Sequence, residues 1–396
     1  MSRILNYYAY FLPHLGGIEQ NIYYFSKYSK HEHIVLTNLL PNTKLHEKID
    51  GIEVFRVPPE TSPPTKSKKR LLSHILKEIP REINKFNYFK KIDFDLLHLR
   101  GPYLSNDLCY GLDCLLGVSF FKKFSPWASI KKPRVVTFHL LLSNTKFVTK
   151  EAESNFWYYD EKKSWKKYEK HLCHIADEII CVDHFMIKEL QKFSNGKKIH
   201  YIPSGIDSNI FYPMEKNKAI SNLPPSVREI LSKKFTILFL GRLDPMKGLP
   251  FLSELADSLP DSIQLVQAGE GKQTTTSDKI VKIGKIENKL VPYLLNGSDV
   301  VFQPLVLEGI SRVSLESMAC GKPTIMLGKN LDRFPMENEK NGFVVDSVSE
   351  AIKIINRLHN SSSLYEQISK NAAMVTNDFS VQSLVPKLDQ VYQSCL

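Results

Sequence analysis

The sequence predicts an α/β protein with two Rossmann-like domains that face a central cleft. Apolar runs typical of buried strands alternate with helix-like segments along the whole chain, which favours parallel sheets covered by helices. At 396 residues the chain is also too long for one hydrophobic core, so two domains are expected. Open sheets of this kind bind ligands at the carboxyl ends of their strands, and functional side chains are expected there.

A glycine pair separates the first predicted strand from the first helix. Residues 3–11 are strand-like and a helix-like run extends from Glu19 to about His31, with PHLGGIE between them. Without a Cβ, Gly16 and Gly17 let the backbone approach a phosphate or a sugar closely, but they equally suit a plain tight turn. The pattern leaves both interpretations open.

Two further strands in the first half carry polar residues at their ends. The run RVVTFH, 134–139, ends in His139, and a histidine at the carboxyl edge of a sheet serves either a ligand or the core. Asp93 and Asp95 have the DxD spacing that some sugar-transferring enzymes use to hold a divalent metal. Because this pair precedes a buried strand, LLHL, we interpret it as a cap for the start of that strand and predict no metal site.

The excess positive charge lies entirely in the first half of the chain. Residues 1–200 contain 32 Lys and Arg against 21 Asp and Glu, whereas residues 201–396 contain 21 of each. The lysine-rich segment 65–91 has apolar residues at helical spacing, and the aromatic runs 120–127 and 156–170 are interleaved with lysine. This pattern suits a solvated helix face or docking on an anionic membrane surface. The sequence has no nucleic-acid-binding signature, so nucleic acid is not expected as a partner.

The sequence contains no pattern typical of an exported or membrane-spanning protein. No apolar run reaches the roughly 20 residues needed to cross a bilayer, and the start MSRILNYYAYF lacks the order of a signal peptide. The six cysteines are scattered without a CxxC pair, so neither disulfides nor a zinc site is expected. We expect a cytoplasmic protein, either free or peripheral on the cytosolic face of a membrane.

The second half begins with a pattern that favours diphosphate binding. A polar segment at 214–234 is predicted to be the linker, and the strand-like run FTILFLG ends in Gly241. Arg242 and Lys247 flank the following turn, before a helix that begins near residue 248. Arginine binds phosphate oxygens in a bidentate manner and lysine supplies a mobile charge, so the pair suits a diphosphate.

The stretch LEGISRVSLESMACGKPTI, 307–325, carries two carboxylates. Glu308 lies on the loop after a strand, and Glu316 lies in a helix predicted to begin at about Ile310. The amides of Gly309, Ile310 and Ser311 would offer unpaired donors at the helix N-terminus, which suit a phosphate or a sugar. The alternative is that the acids merely complement the helix dipole.

Four motifs in this order resemble the retaining GT-B glycosyltransferases of family GT4. They are GGIE, IPSGID, GRLDPMKG, and the two glutamates with seven residues between them. The resemblance spans nearly the whole chain and implies transfer of a hexosyl group from a nucleotide-diphosphate sugar, such as UDP-hexose or GDP-hexose. It implies retention at the anomeric carbon, with no metal and no further cofactor. It also implies an acceptor-side domain at 1–206, a nucleotide-sugar-binding domain at 207–378, and a last helix, about 379–396, that returns to the first domain.

By matching position, the resemblance assigns roles to the candidate residues. It implies catalytic roles for His139 near the sugar C6 hydroxyl, for Arg242 and Lys247 at the diphosphate, and for Glu308 at the donor sugar. It places Gly16 and Gly17 by the phosphates or the acceptor. The donor-binding residues implied are Gly16, Gly17, Gly309, Ile310, Ser311 and Glu316, with Glu316 at the ribose hydroxyls. Gly241, Gly269 and Gly271 are added as donor-binding candidates because they lie at the carboxyl ends of predicted strands, where ligands bind.

The sequence departs from the family pattern at several positions. Ser311 and Arg312 stand where many members have glycine and a small or apolar residue, which leaves the donor sugar open. Leu99 and Arg100 replace a strand end that commonly contains histidine, and Arg100 is expected to meet an acceptor phosphate.

The acceptor and the class of protein also leave alternatives. The basic, aromatic first half favours a lipid-linked or glycan acceptor at the cytosolic membrane face. The alternatives are a non-catalytic sugar-nucleotide-binding protein and a sugar-nucleotide epimerase. A dehydrogenase is disfavoured because no GxGxxG follows the first strand.

Overall fold

The structure, a computed structural model, describes residues 1–57, 87, 88, 90–101, 130–154 and 162–396, the last range with side chains from residue 165 onward. Nearly all of the predicted basic helix at 65–91, the aromatic run 120–127 and the first part of 156–170 lie outside the described residues.

The chain forms two compact units, each built around one sheet. The described residues of Met1–Asn144, Asp160–Gly205 and Val381–Leu396 form the first unit, and those of Thr145–Tyr159 and Ile206–Ser380 form the second. We therefore keep residue 206 and about residue 379 as proposed domain boundaries.

The first sheet is a mostly parallel sheet with an additional antiparallel edge strand. Its strands are β1 (Arg3–Tyr7), β2 (Glu32–Asn38), β3 (His46–Ile49), β4 (Ile52–Val57), β5 (Leu96–Gly101), β6 (Arg134–Phe138), β7 (Glu178–Cys181) and β8 (Ile199–Tyr201). They lie in the order β3-β4-β2-β1-β5-β6-β7-β8, and of the neighbouring pairs only β3 and β4 are antiparallel. Every residue of β5 is buried, as expected for a parallel strand covered on both faces. The order reverses between β1 and β5, which makes this the switch point where ligands bind in such folds.

The second sheet is wholly parallel. Its strands are β9 (Phe235–Leu240), β10 (Ile263–Ala268), β11 (Ile280–Gly284), β12 (Val300–Gln303), β13 (Thr324–Leu327) and β14 (Phe343–Val345). Their order is β11-β10-β9-β12-β13-β14, the usual 3-2-1-4-5-6 order of a dinucleotide-binding fold. Its switch point lies between β9 and β12. The predicted α/β architecture with two Rossmann-like domains is confirmed.

Helices cover both faces of each sheet. The described helices are α1 (Gly17–Tyr28), α2 (Lys150–Ser154), α3 (Lys162–Ile175), α4 (Met186–Gln191), α5 (Lys216–Ser221), α6 (Pro225–Leu231), α7 (Leu249–Ser258), α8 (Val291–Gly297), α9 (Arg312–Ala319), α10 (Val348–Asn360), α11 (Ser362–Ala373), α12 (Thr376–Phe379) and α13 (Val381–Cys395). In the second unit, Leu252 of α7 packs in the same core as Ile237 of β9, whereas Leu315 of α9 packs with Leu238 on the opposite face. None of these helices combines the length and the apolar character needed to span a bilayer.

The last helix belongs to the first unit. Asp389 of α13 accepts hydrogen bonds from the Ser29 hydroxyl at 2.6 Å and from the Lys30 amide at 3.2 Å, at the end of α1. The Tyr392 hydroxyl lies 2.7 Å from Nδ1 of His98 on β5. These contacts attach the C-terminus to the first sheet.

The linker prediction for 214–234 is wrong because this segment forms α5 and α6. Glu215 caps α5 by accepting hydrogen bonds from the amides of Asn217 and Lys218, and α6 begins at a proline, which suits the first turn of a helix. Both helices bury apolar residues against the second unit; these are Ala219, Ile220, Val227 and Leu231. The polar composition of the exposed positions concealed this helical spacing.

Candidate donor-binding site

The loop after β9 carries the two predicted cations. The Gly241 amide donates to the Ala268 carbonyl at 3.1 Å, and a short 3-10 turn, Pro245–Lys247, follows with Asp244 as its N-cap. Arg242 is exposed, and its Nε lies 3.8 Å from Asp244 Oδ2. Burial lowers the pKa of the Lys247 ammonium; Asp244 opposes this shift and Arg242 adds to it. The loop after β9 therefore holds two cations and one carboxylate close together.

Glycines allow the loops of the site to pack backbone against backbone. A Cβ on Gly269 would lie 1.9 Å from the Gly241 carbonyl oxygen, and one on Gly271 would lie 2.2 Å from the Leu243 carbonyl oxygen. Gly248 has φ of 64°, and a Cβ there would lie 2.1 Å from the Pro304 carbonyl oxygen. The glycines after β10 thus join the loops after β9 and β10. Their predicted contact with the donor stays a prediction.

Glu308 lies in the loop after β12, which contacts the loop after β9. The Val306 amide donates to the Met246 carbonyl at 3.1 Å. The Glu308 side chain is only 3% exposed, and its Oε1 lies 3.4 Å from Lys146 Nζ and 3.4 Å from the Asp332 amide nitrogen. No described residue is hydrogen-bonded to its Oε2. One carboxylate oxygen is therefore positioned by the protein, and the other can accept from a ligand hydroxyl.

Lys146 was not identified from the sequence. It lies on a segment after β6 that pairs with the loop after β12, because Val148 donates to the Val306 carbonyl at 2.9 Å and Glu308 donates to the Lys146 carbonyl at 3.0 Å. A residue from the first half of the sequence thus adds a cation beside Glu308.

The helix after Glu308 begins two residues later than predicted. Ser311 is the N-cap of α9, and its hydroxyl accepts from the Ser314 amide at 3.0 Å. Gly309 has φ of 99°, and its amide donates to the Asp332 carbonyl at 3.0 Å. The Gly309 amide is therefore satisfied within the protein, whereas Ile310 lies directly before the cap.

Glu316 is buried in α9 and is paired with Arg312. The Arg312 Nε lies 2.7 Å from Glu316 Oε1, and both side chains are at most 10% exposed. Burial raises the pKa of Glu316, while the charge and hydrogen bond of Arg312 lower it. The departure from the family pattern at Arg312 thus gives the predicted ribose-binding carboxylate a cationic partner on its own helix.

His139 directly follows β6 in the first unit. Its Nε2 is buried and has no hydrogen-bond partner among the described residues. Burial lowers the pKa of His139 to about 3, and Arg100 adds to the shift. The ring is therefore neutral at physiological pH, and an unpaired buried nitrogen of this kind is consistent with a ligand-binding role.

The glycine pair lies at the start of α1, with Gly16 as the N-cap and Gly17 as the first helical residue. A Cβ on Gly16 would lie 2.4 Å from Glu19 Oε2. Glu19 is itself buried and hydrogen-bonded to His14 Nδ1 at 2.7 Å. A Cβ on Gly17 would have no neighbouring atom within 4 Å. A Cβ on Gly16 would thus displace the Glu19 carboxylate, while Gly17 leaves room for a ligand.

Arg100 lies inside a polar network rather than at the surface. It is 2% exposed and donates to Asn6 Oδ1 at 3.1 Å and to Asn21 Oδ1 at 3.3 Å. An acceptor phosphate would reach Arg100 only if this network opened, so its predicted role stays a prediction.

The two acidic residues before β5 both bind Arg3. The Asp95 carboxylate accepts from the Arg3 amide at 2.8 Å, and Asp93 lies 3.2 Å from the Arg3 guanidinium. Among the described residues, no group of three or more His, Cys, Asp or Glu side chains is arranged to hold a metal ion.

Two family models match separate parts of the chain. The model described as Glycosyltransferase Family 4 matches residues 15–209, and the model described as Glycosyl transferases group 1 matches residues 225–375. Together they span all the candidate site residues and every strand of both sheets except β1. The chain belongs to glycosyltransferase family 4. The predicted family is thereby confirmed.

Curated members of the family resemble this chain over part of its length. A UDP-Gal:alpha-D-GlcNAc-diphosphoundecaprenol alpha-1,3-galactosyltransferase from Escherichia coli is 27% identical over 55% of this chain and 58% of its own length. A putative glycosyltransferase from Bacillus subtilis, YtcC, is 26% identical over 74% of each chain. The match to the Escherichia coli enzyme therefore covers less than two thirds of that enzyme's length.

Solved structures share the fold over the whole chain. Sucrose-phosphate synthase from Thermosynechococcus elongatus matches with a TM-score of 0.71 at 17% identity, covering 100% of this chain and 99% of that one. HepE from Anabaena, in complex with UDP and glucose, matches with a TM-score of 0.70 at 17% identity, covering 100% of both. The fold is GT-B.

Proposed function

We propose that this family 4 member is a retaining hexosyltransferase that uses a nucleotide-diphosphate sugar. One observation carries the proposal: the contacting loops after β9 and β12 bring Arg242 and Lys247 to the same sheet edge as Glu308, and Glu316 lies in α9, the helix that follows. That edge is the switch point of a dinucleotide-binding sheet, where such folds bind nucleotides. Cations for a diphosphate and carboxylates for hydroxyls are the groups that a sugar nucleotide requires.

The chemistry follows from the charge that develops during transfer. The bond between the anomeric carbon and the phosphate oxygen breaks, a bond to the acceptor oxygen forms on the same face, and the acceptor's proton passes to the leaving phosphate. The departing nucleoside diphosphate gains negative charge, so Arg242 and Lys247 stabilise the transition state more than the bound donor. His139 would contact the sugar, and no enzyme carboxylate need act as a nucleophile. We propose that the reaction needs no metal.

The relatives support a donor and acceptor class. The name of the Escherichia coli enzyme specifies UDP-galactose and a diphosphoundecaprenol-linked sugar, and HepE was crystallised with UDP-glucose. A UDP-hexose is accordingly the first donor to test, with GDP-hexose second. The acceptor class that fits the basic first half of the chain is a lipid-linked or glycan hydroxyl.

Nucleotide binding can be tested by thermal shift. The melting temperature of the protein should rise with one of UDP-glucose, UDP-galactose, GDP-mannose or ADP-glucose, because a ligand that binds the native state stabilises it. Glu316→Gln should weaken that binding by about 1–3 kcal/mol, since a hydrogen bond from ribose to a charged acceptor is lost.

The exposed Glu254 of α7 provides a matched control, and Glu254→Gln should bind like the wild type. Equal donor affinity in Glu316→Gln and the wild type would contradict the ribose assignment. Binding without turnover on any acceptor would favour a non-catalytic binding protein.

The charge asymmetry supports attachment to the cytosolic face of a membrane. Residues 1–200 carry 11 more cationic than anionic side chains, so the protein should float with vesicles of phosphatidylglycerol and phosphatidylcholine. High salt should release it because it screens exposed charges. Equal flotation with pure phosphatidylcholine, or none with either vesicle, would contradict this proposal.

A further inference from the structure

The buried Arg333 makes an unusual set of hydrogen bonds beside the donor-binding site. It lies after β13, is 3% exposed, and donates to four backbone carbonyls. The acceptors are Leu305 at 2.9 Å, Leu307 at 2.5 Å, Gly309 at 2.6 Å, and Leu327 at 3.0 and 2.6 Å. One guanidinium thus ties the end of β13 to the loop after β12.

The carbonyls of this loop that bind Arg333 lie on both sides of Glu308. In a planar trans peptide, the N–H points opposite to the carbonyl of the preceding residue. With the Leu307 carbonyl turned toward Arg333, the Glu308 amide points away and donates to the Lys146 carbonyl at 3.0 Å. In the same way, the Gly309 carbonyl sets the direction of the Ile310 amide. Arg333 therefore fixes the peptide plane that leads into Glu308 and the plane that carries the Ile310 amide.

The neighbouring residue reinforces this arrangement from the same segment. The Asp332 carbonyl accepts from the Gly309 amide at 3.0 Å, and the Asp332 amide lies 3.4 Å from Glu308 Oε1. Residues 332 and 333 thus contact the backbone and the carboxylate of the loop at the same time. A functional side chain needs supporting contacts of this kind to be held accurately.

Only arginine has the chemistry to make these contacts together. Its planar guanidinium carries five donors in a fixed arrangement, whereas lysine has one compact ammonium that cannot reach four separated carbonyls. Burying a guanidinium costs desolvation energy, and hydrophobic packing would stabilise the domain without that cost. The arrangement therefore suits a role in shaping the loop.

We propose that Arg333 is a positioning residue for the donor sugar, acting through Glu308 and the Ile310 amide. The inference rests on the proposed function, in which Glu308 contacts the sugar. Arg333 itself touches neither sugar nor diphosphate. Its loss should therefore weaken recognition of the sugar and leave the nucleoside diphosphate bound as before.

Binding can be measured by calorimetry with two probe pairs, UDP with UDP-glucose and GDP with GDP-mannose. In Arg333→Gln, the affinity for the nucleoside diphosphate should change by less than about twofold, whereas the added affinity for the sugar nucleotide should fall at least about tenfold because a displaced group loses its geometry. The added affinity of Arg333→Lys for the sugar nucleotide should lie between those of Arg333→Gln and the wild type. Equal weakening of both members of a pair would overturn the proposal.

A double variant separates positioning from general destabilisation. Because Arg333 acts through Glu308, Arg333→Gln/Glu308→Gln should bind the sugar nucleotide no more weakly than Glu308→Gln alone. Multiplicative losses would show that the two residues act independently and would contradict the proposal. If Glu308→Gln alone binds every probe normally, the donor assignment fails instead.

Hydrogen exchange provides a readout that needs no ligand. In Arg333→Gln, the amides of Glu308 and Gly309 should exchange faster than in the wild type because the loop that carries them is no longer held through the Leu307 and Gly309 carbonyls. Asn296→Ala is the matched control, since buried Asn296 bonds the Met214 amide and the Tyr212 and Pro292 carbonyls in the same unit. That variant should leave the loop amides unchanged. Unchanged exchange at Glu308 and Gly309 in Arg333→Gln would overturn the proposal.

Discussion

Replacing Arg242 or Lys247 by alanine is expected to lower the rate of sugar transfer at least about a hundredfold, because each cation stabilises charge on the leaving diphosphate. The two side chains lie in the loop after β9, Arg242 before the 3-10 turn and Lys247 at its end, and Asp244 interacts with both. Stabilisation that grows as the bond breaks affects the turnover number more than the donor affinity. The measurement is kcat and KM for release of nucleoside diphosphate from the donor.

Two exposed cations of the same unit serve as controls. Lys289 is paired with Glu287, and Arg357 is paired with Glu339, both outside the site loops. Lys289→Ala and Arg357→Ala should transfer sugar at the wild-type rate. A folded Arg242→Ala or Lys247→Ala protein with near-normal kcat would remove the diphosphate assignment.

The second large effect is expected for Glu308→Gln, which should lower transfer at least about a hundredfold. The change keeps the size of the side chain but replaces a charged acceptor with a neutral amide. In the wild type, Oε1 faces two donors, the Lys146 ammonium and the Asp332 amide. The NH₂ group of the new glutamine would either face these two donors or take the place of the oxygen that accepts from the sugar hydroxyl. Donor hydrolysis and transfer should both fall, while UDP or GDP should still bind.

Exposed Glu254 again offers a control for the same chemical change, and Glu254→Gln should be fully active. The free energy of unfolding should also be measured for Glu308→Gln, so that a loss of activity in a stable protein can be assigned to the site. Full activity in Glu308→Gln would mean that the sugar is recognised elsewhere.

The architecture could be predicted from the sequence because parallel strands buried on both faces give continuous apolar runs. The strands β5, β9 and β12 stand out for this reason, and each is followed by a polar or glycine-containing turn at the carboxyl edge. The charged members of the candidate donor-binding site follow the same rule. Arg242, Lys247, Glu308 and Glu316 all lie after a strand or in the helix that follows.

Other features depend on contacts that no local pattern reveals. Lys146 lies 162 residues before Glu308 in the sequence, and it reaches the site through backbone pairing. Arg333 binds carbonyl oxygens, which every residue has, so its partners leave no mark in the sequence. The segment that forms α5 and α6 has the composition of a linker because only one narrow face of each helix is apolar. Tertiary packing stabilises such short helices more than their own propensity.

The most direct test of the account is a crystal structure with the nucleoside diphosphate that gives the largest thermal shift. We predict that the diphosphate lies at the carboxyl edge between β9 and β12, with its oxygens about 3 Å from the Arg242 guanidinium and the Lys247 ammonium, and with the ribose at Glu316. A nucleotide bound at another edge, or a diphosphate with neither cation within hydrogen-bonding distance, would contradict it.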